Sequence, residues 1–142
     1  GLLGSYLGTT ISQRYREPVS CVTLDITEQG KQDPLLQGFP DQIEVMLGHK
    51  EACDTVPQGA VLLMQGTRCP VQMFRVANNI YATQFHPEGD SEGFILRIDA
   101  YKHHGYFNPQ EAEQLTQALS QVATPYAQQI LKRFVQRYYN VK

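Results

Sequence analysis

The sequence predicts a mixed fold in which strands come first and helices last, and three observations carry that reading. Between Ile11 and Phe85 the apolar residues fall in short runs with the two-residue alternation of strands. From Ser91 onward they recur at three and four residues, the period of a helix, behind recognisable helix-start residues. Between two of the strand runs stands Asn78-Asn79, a pair that tolerates the left-handed backbone of a hairpin turn.

Taken in order, Gly1 to Gly8 reads as a short helix whose apolar residues are Leu2, Leu3 and Leu7. Strands are expected over Ile11 to Tyr15, Val19 to Ile26, Gln42 to Leu47, Ala60 to Met64, Val71 to Val76 and Ile80 to Phe85, the last two forming a hairpin. The first tail helix follows Ser91 and carries Phe94, Ile98 and Tyr101. A second begins at Asn108-Pro109-Gln110-Glu111, which supplies an N-cap, a proline at the first position and an acid at the third. Thr124-Pro125 opens a third, in which Tyr126, Ile130, Phe134 and Tyr138 repeat at four residues as an apolar packing stripe. Neither repeat nor linker interrupts the chain, so residues 1–142 read as part of one domain with a helical tail at about 91–142.

Composition excludes several classes. With 142 residues, 42% of them hydrophobic, the chain can build a packed core, and no apolar run approaches the length of a transmembrane helix. Charged residues make up 18% and the formal net charge is -2, which leaves no electrostatic case for nucleic acid or an anionic membrane. Lys132, Arg133 and Arg137 form a local basic cluster in the last turns of a helix, where cations favour the dipole. Three cysteines, an odd number at irregular spacing, argue against a disulfide framework and for a reducing, cytoplasmic setting.

Chemistry concentrates at Ile80-Tyr81-Ala82-Thr83-Gln84-Phe85-His86-Pro87-Glu88. Pro87 holds His86 in an extended backbone and ends the strand, so an imidazole emerges at a sheet edge with a carboxylate two residues away. Such a pair has the composition of a catalytic base and its orienting acid, with a nucleophile supplied from elsewhere.

Gln84-Phe85-His86-Pro87-Glu88 resembles the signature of triad-type (class I) glutamine amidotransferases, in particular the amidotransferase domain of GMP synthase and its stand-alone relatives. Further residues carry the likeness in the family's order. Gly1 to Gly8 resembles the helix after the nucleophile turn, and Asp33-Pro34-Leu35-Leu36-Gln37-Gly38 a short connector. Gly48-His49-Lys50-Glu51 with Val56-Pro57 resembles the family's S-H-G-D…L-P region, although Lys50 and Glu51 depart from its G-D. The resemblance implies an α/β fold, a mostly parallel, flavodoxin-like sheet flanked by helices with an antiparallel hairpin added. It also implies a domain that is incomplete here and lacks its N-terminal strands.

The implied activity of the complete protein is hydrolysis of glutamine, with His86 and Glu88 as catalytic residues and Gly48, His49, Lys50 and Glu51 contacting the substrate. No cofactor is implied. The partners implied are glutamine and a synthetase that accepts the ammonia. The family's nucleophile is the cysteine of a G-x-C-x-G-x-Q turn, which these residues do not contain and which would lie upstream of Gly1. None of the three cysteines present suits the role: Cys21 lies in an alternating strand, Cys53 beside the acid Asp54, and Cys69 before Pro70 with no helix after it. Two other readings stand beside this one, a γ-glutamyl hydrolase or peptidase on the same fold and a non-catalytic amidotransferase-like binding module. As a fragment, the chain is expected to be inactive, to leave Leu2, Leu3 and Leu7 uncovered, and to aggregate or form a homodimer.

No metal site is expected. His103 and His104 are adjacent and would diverge by about 100° on a helix. His49 and Cys53 have ligand-like spacing, but no second pair completes a zinc set.

Overall fold

The structure, a computed structural model, describes residues 1–104 and 108–139. Its longest strands are β2 (Glu17–Ile26) and β3 (Gln42–His49), which pair antiparallel from Asp25 opposite Gln42 to Ser20 opposite Leu47. Pro18 has no N–H to give the ladder, and the register shifts between Glu17 and Ser20, bringing Glu17 opposite His49. The sheet continues through β5 (Ala60–Gln65), β6 (Met73–Val76) and β7 (Ile80–Thr83) in the order β3-β2-β5-β6-β7. A separate two-stranded pair joins β1 (Ile11–Ser12) to β4 (Ala52–Cys53).

Every one of these pairings is antiparallel, which corrects the expectation of a mostly parallel sheet. The connections give the reason. A parallel crossover needs a dozen or more residues, whereas residues 66–72 and 77–79 are the only links between β5 and β6 and between β6 and β7. The fold is nonetheless α/β, because helices cover both faces of the sheet. Met46 points to α3 (Ser91–Tyr101) and α4 (Pro109–Leu119), where it packs with Phe94, Ile98, Ala112 and Leu119. Ile43, Val45 and Leu47 point the other way, into the main core with Leu24, Leu63, Phe85 and the α5 (Pro125–Tyr139) residues Ala127 and Ile130. β3 is therefore buried on both sides between Val45 and Leu47.

The tail helices form where their start signals stand. Asp90 accepts from the Gly93 N–H at 2.7 Å to cap α3, and Asn108 and Glu111 make a reciprocal capping box on α4. The α5 stripe is a packing face as expected: Phe134 meets the Tyr81 ring edge-on at 5.9 Å, and Tyr126 meets Phe39 at 5.0 Å. Arg133 does more than face the helix dipole, since its Nη1 donates to the carbonyls of Leu35 and Gln37 at 3.1 and 2.8 Å.

Other boundaries differ from the sequence reading. β1 stops at Ser12, where the Ser12 hydroxyl donates to Asp54 at 2.5 Å and accepts the Arg14 N–H. The helix α2 (Glu28–Gln32) has no counterpart in that reading; Thr27 caps it by accepting from the Gly30 N–H, and Gly30 lies so close to β5 that a Cβ there would collide with the Leu63 carbonyl oxygen. β3 runs on through Gly48 and His49, in place of the expected turn. In the β6–β7 hairpin the left-handed residue is Ala77, with φ 53°, rather than either asparagine. In α1 (Leu2–Tyr6) Leu2 is 92% exposed as expected, but Leu3, and Leu7 just after the helix, pack beside Cys53, Val71 and Phe74 instead of losing their cover.

The connector after α2 is tied to the hairpin by charge. Asp33 is fully buried and takes hydrogen bonds from Arg75 Nη1 at 2.5 Å, the Tyr81 hydroxyl at 3.0 and 3.1 Å, and the Leu35 N–H at 2.9 Å. Burial, and then the Asp33 charge beside it, push the Tyr81 phenol well above its usual range. Replacing Asp33 by alanine leaves a part-buried guanidinium and a phenol without their acceptor. Asp33→Ala should therefore lower unfolding free energy by about 3 kcal/mol in urea titrations, and a loss too small to measure would contradict the assignment.

Candidate active site

The chain leaves β7 at Thr83, three residues before His86, so the imidazole does not sit at the strand end itself. Two main-chain bonds steer the intervening residues. The Gln84 N–H donates to the Gln72 carbonyl at 2.7 Å, and the His86 N–H donates to the Met46 carbonyl of β3 at 2.9 Å. Phe85, 2% exposed between them, anchors the segment in the main core. Pro87-Glu88 then turns, closed by the Gly89 N–H on the His86 carbonyl at 3.0 Å.

That turn brings Glu88 Oε1 to 2.8 Å from His86 Nδ1. With the carboxylate accepting from Nδ1–H, the lone pair of Nε2 is the one free to take a proton. The Phe94 ring of α3 meets the imidazole edge-on at 5.6 Å, and Gly89 makes room for it, since a Cβ there would run into that ring. Arg97 lies over the Phe94 ring at 5.5 Å and places Nη2 3.9 Å from Glu88 Oε1. Partial burial alone would raise the Glu88 carboxyl. The hydrogen bond from His86, the local backbone and the His86 and Arg97 charges outweigh it, so Glu88 is held below the usual carboxylate range.

Beside His86 opens a cavity of about 150 Å³ lined by Val19, Gly48, Phe94, Arg97, Ile98 and Tyr101. It adjoins a groove of about 480 Å³ lined by Glu17, Pro18, His49 and Lys50, and the two share Val19, Gly48 and Tyr101. Of the four residues expected to contact substrate, Gly48 thus faces the cavity directly and His49 and Lys50 line its extension. Glu51 is exposed and lines neither.

All three cysteines are free, and none lines the His86 cavity. Burial, then Glu44, raises the Cys21 thiol; burial raises Cys53, opposed by the N-terminal amine and reinforced by Asp54. Cys69, fully buried, is pushed up to about 11 by burial and then by Glu17. Each of these shifts disfavours the thiolate, the nucleophilic form.

One cluster escaped sequence reasoning. Glu17, His49 and Cys69 bring a carboxylate oxygen, a ring nitrogen and a thiol sulfur within 4.8 Å of one another. Glu17 Oε1 contacts His49 Nε2 at 3.0 Å and accepts from Gln72 Nε2 at 2.7 Å. The three lie far apart in the chain: the β2–β3 register brings Glu17 opposite His49, and the β5–β6 link adds Cys69. The pair weighed from spacing does not assemble, because Cys53 packs under α1, and His103 and His104 stand exposed just beyond α3.

Residues 2–96 match the family described as glutamine amidotransferase class-I, and the chain belongs to that family. It is 37% identical over 59 residues to a glutamine-hydrolyzing GMP synthase subunit from Methanoculleus marisnigri, a match covering 41% of this chain and 32% of that protein. Against the glutamine-hydrolyzing GMP synthase of Thermosipho africanus it is 32% identical over 77 residues, covering 48% of this chain and 15% of the relative. Among solved structures, a glutamine amidotransferase from Thermotoga maritima superposes with TM-score 0.69 at 19% identity, covering 96% of this chain and 57% of its own. One from Methylobacillus flagellatus gives TM-score 0.71 at 15% identity, covering 95% and 58%. The chain therefore spans a minor part of these curated relatives and little more than half of these solved chains. No helix among the described residues is long and apolar enough to cross a membrane.

The Glu88 environment has a measurable consequence. A carboxyl whose folded pKa is lowered contributes stability above its unfolded value, near 4.3, and loses it as pH falls through the folded value. NMR titration should find Glu88 ionised below that pH, and Arg97→Ala should move its midpoint upward. A midpoint at or above the unfolded value would contradict the pairing.

Proposed function

We propose that this chain provides the base and orienting acid of a glutamine-hydrolysing site of the GMP synthase-like kind. The observation that carries the reading is the 2.8 Å contact between His86 Nδ1 and Glu88, set beside a cavity with room for a small side chain. In this mechanism the nucleophilic cysteine belongs to a part of the complete protein that precedes Gly1. His86 Nε2 takes the thiol proton, the thiolate attacks the side-chain amide carbon of glutamine, and the same nitrogen returns the proton as ammonia departs. A water, deprotonated by Nε2, then opens the thioester and releases glutamate. Glu88 keeps Nδ1–H engaged, which fixes the tautomer and stabilises the imidazolium formed in each half-reaction.

Glutamine would occupy the cavity and reach toward the groove. Gly48 lines the cavity, and the absence of a side chain there lets Val19, another lining residue, pack directly against the β3 backbone. His49, Lys50 and Glu51 continue the same stretch and complete the substrate-binding run. Hydrolysis of an amide transfers no electrons and calls for no cofactor. The ammonia would pass to a synthetase, as the GMP synthase relatives suggest. One observation favours a non-catalytic module instead: no thiol among the described residues faces His86.

In the complete protein, His86→Ala should lower kcat for ammonia release by about 10⁶-fold and Glu88→Gln by about 10⁴-fold, with KM little changed. Turnover that survives His86→Ala would overturn the assignment, and wild-type protein without glutaminase activity would favour the binding module.

A further inference from the structure

We propose that Glu17, His49 and Cys69 bind a divalent metal ion of borderline softness, zinc foremost, as a structural clamp beside the groove. The donor set is one thiol, one imidazole and one carboxylate, the three side-chain types that hold zinc. Their ligand atoms already converge within 4.8 Å, and the 3.0 Å hydrogen-bond contact between His49 and Glu17 would have to open by a few tenths of an ångström to the roughly 3.3–3.8 Å that separates donors in a tetrahedral shell with bonds of about 2.0–2.3 Å. The pocket is dry, since the side chains of His49 and Glu17 are 6% and 4% exposed and Cys69 is fully buried.

A second observation points to a ligand. Two buried polar atoms in this cluster have no hydrogen-bond partner, His49 Nδ1 and Gln72 Oε1. Orphaned donors and acceptors at such depth are rare, and both atoms are of kinds that coordinate or support zinc. A plain polar network of Glu17, His49 and Gln72 leaves the Gln72 carbonyl unexplained. A bound ion would engage His49 through Nε2, the nitrogen that already faces Glu17, and offer the Gln72 carbonyl a place in the fourth position.

The placement suggests what the ion would do. Glu17 opens β2, His49 closes β3 and Cys69 lies in the link between β5 and β6, so one ion would lock three elements where Pro18 interrupts the ladder. Glu17 and His49 also wall the groove that joins the His86 cavity. The clamp is independent of the hydrolytic reading and would serve a catalytic or a binding module equally.

The test is to strip the purified chain of metal, add Co²⁺ or Zn²⁺ alone, and measure metal content and the thiolate-to-cobalt charge-transfer band. The expected result is one ion per chain, with a band that persists in the Cys21→Ser/Cys53→Ala variant, whose single thiol is Cys69. His49→Gln and Cys69→Ser should weaken zinc binding at least about 100-fold. Substoichiometric binding, a bound ion without the band, or a band that survives Cys69→Ser would overturn the proposal. Should Cys69→Ser fail to fold, the double variant decides alone: a band supports the site and its absence refutes it.

Discussion

The candidate site depends on one main-chain hydrogen bond, from the His86 N–H to the Met46 carbonyl. Beyond Thr83 the chain has left β7, and its polar backbone must find partners elsewhere or remain unpaired against the core. Met46 offers one at the place where β3 is covered on both faces and least able to move. With His86 pinned there and Phe85 buried behind it, Pro87 leaves the chain little choice but to turn, and the turn delivers Glu88 to the imidazole. The rigidity of the pair is thus borrowed from the strand beneath it.

Two acid pairings in the structure show how burial separates architecture from chemistry. Asp33 is sealed in and fully bonded, a geometry that holds the connector to the hairpin and leaves its carboxylate nothing else to do. The His86–Glu88 pair is half open, with side chains 35% and 49% exposed, and His86 lines a cavity. The cysteines stand apart from it: Cys53 and Cys69 are buried and Cys21 half-buried, all three are raised in pKa, and none lines the His86 cavity, which leaves His86 without a thiol among the described residues.

Much of this was legible in the sequence wherever the signal is local. The capping box at Asn108, the helix start at Pro125, the α5 stripe and the His86-Pro87-Glu88 tripeptide each act over a few residues, and the structure places each in the expected element or contact. Failures arose where distant segments decide. Strand direction follows from which edges meet, so the mostly parallel expectation fell to short links that only make sense once β5, β6 and β7 are known to be neighbours. Gly48 and His49 continue β3 because Glu17 waits opposite, across the irregularity at Pro18. For the same reason the Glu17–His49–Cys69 cluster was invisible in the sequence.

The central claim is that His86 is the base for a thiol that attacks glutamine. It is tested most directly by inactivating the complete protein with an electrophilic glutamine analogue and solving the structure of the adduct. The account predicts a single modified cysteine other than Cys21, Cys53 and Cys69, its sulfur within hydrogen-bond reach of His86 Nε2 and the glutamyl chain in the cavity beside Gly48. An adduct on Cys21, Cys53 or Cys69, or one whose sulfur lies away from His86, would contradict it.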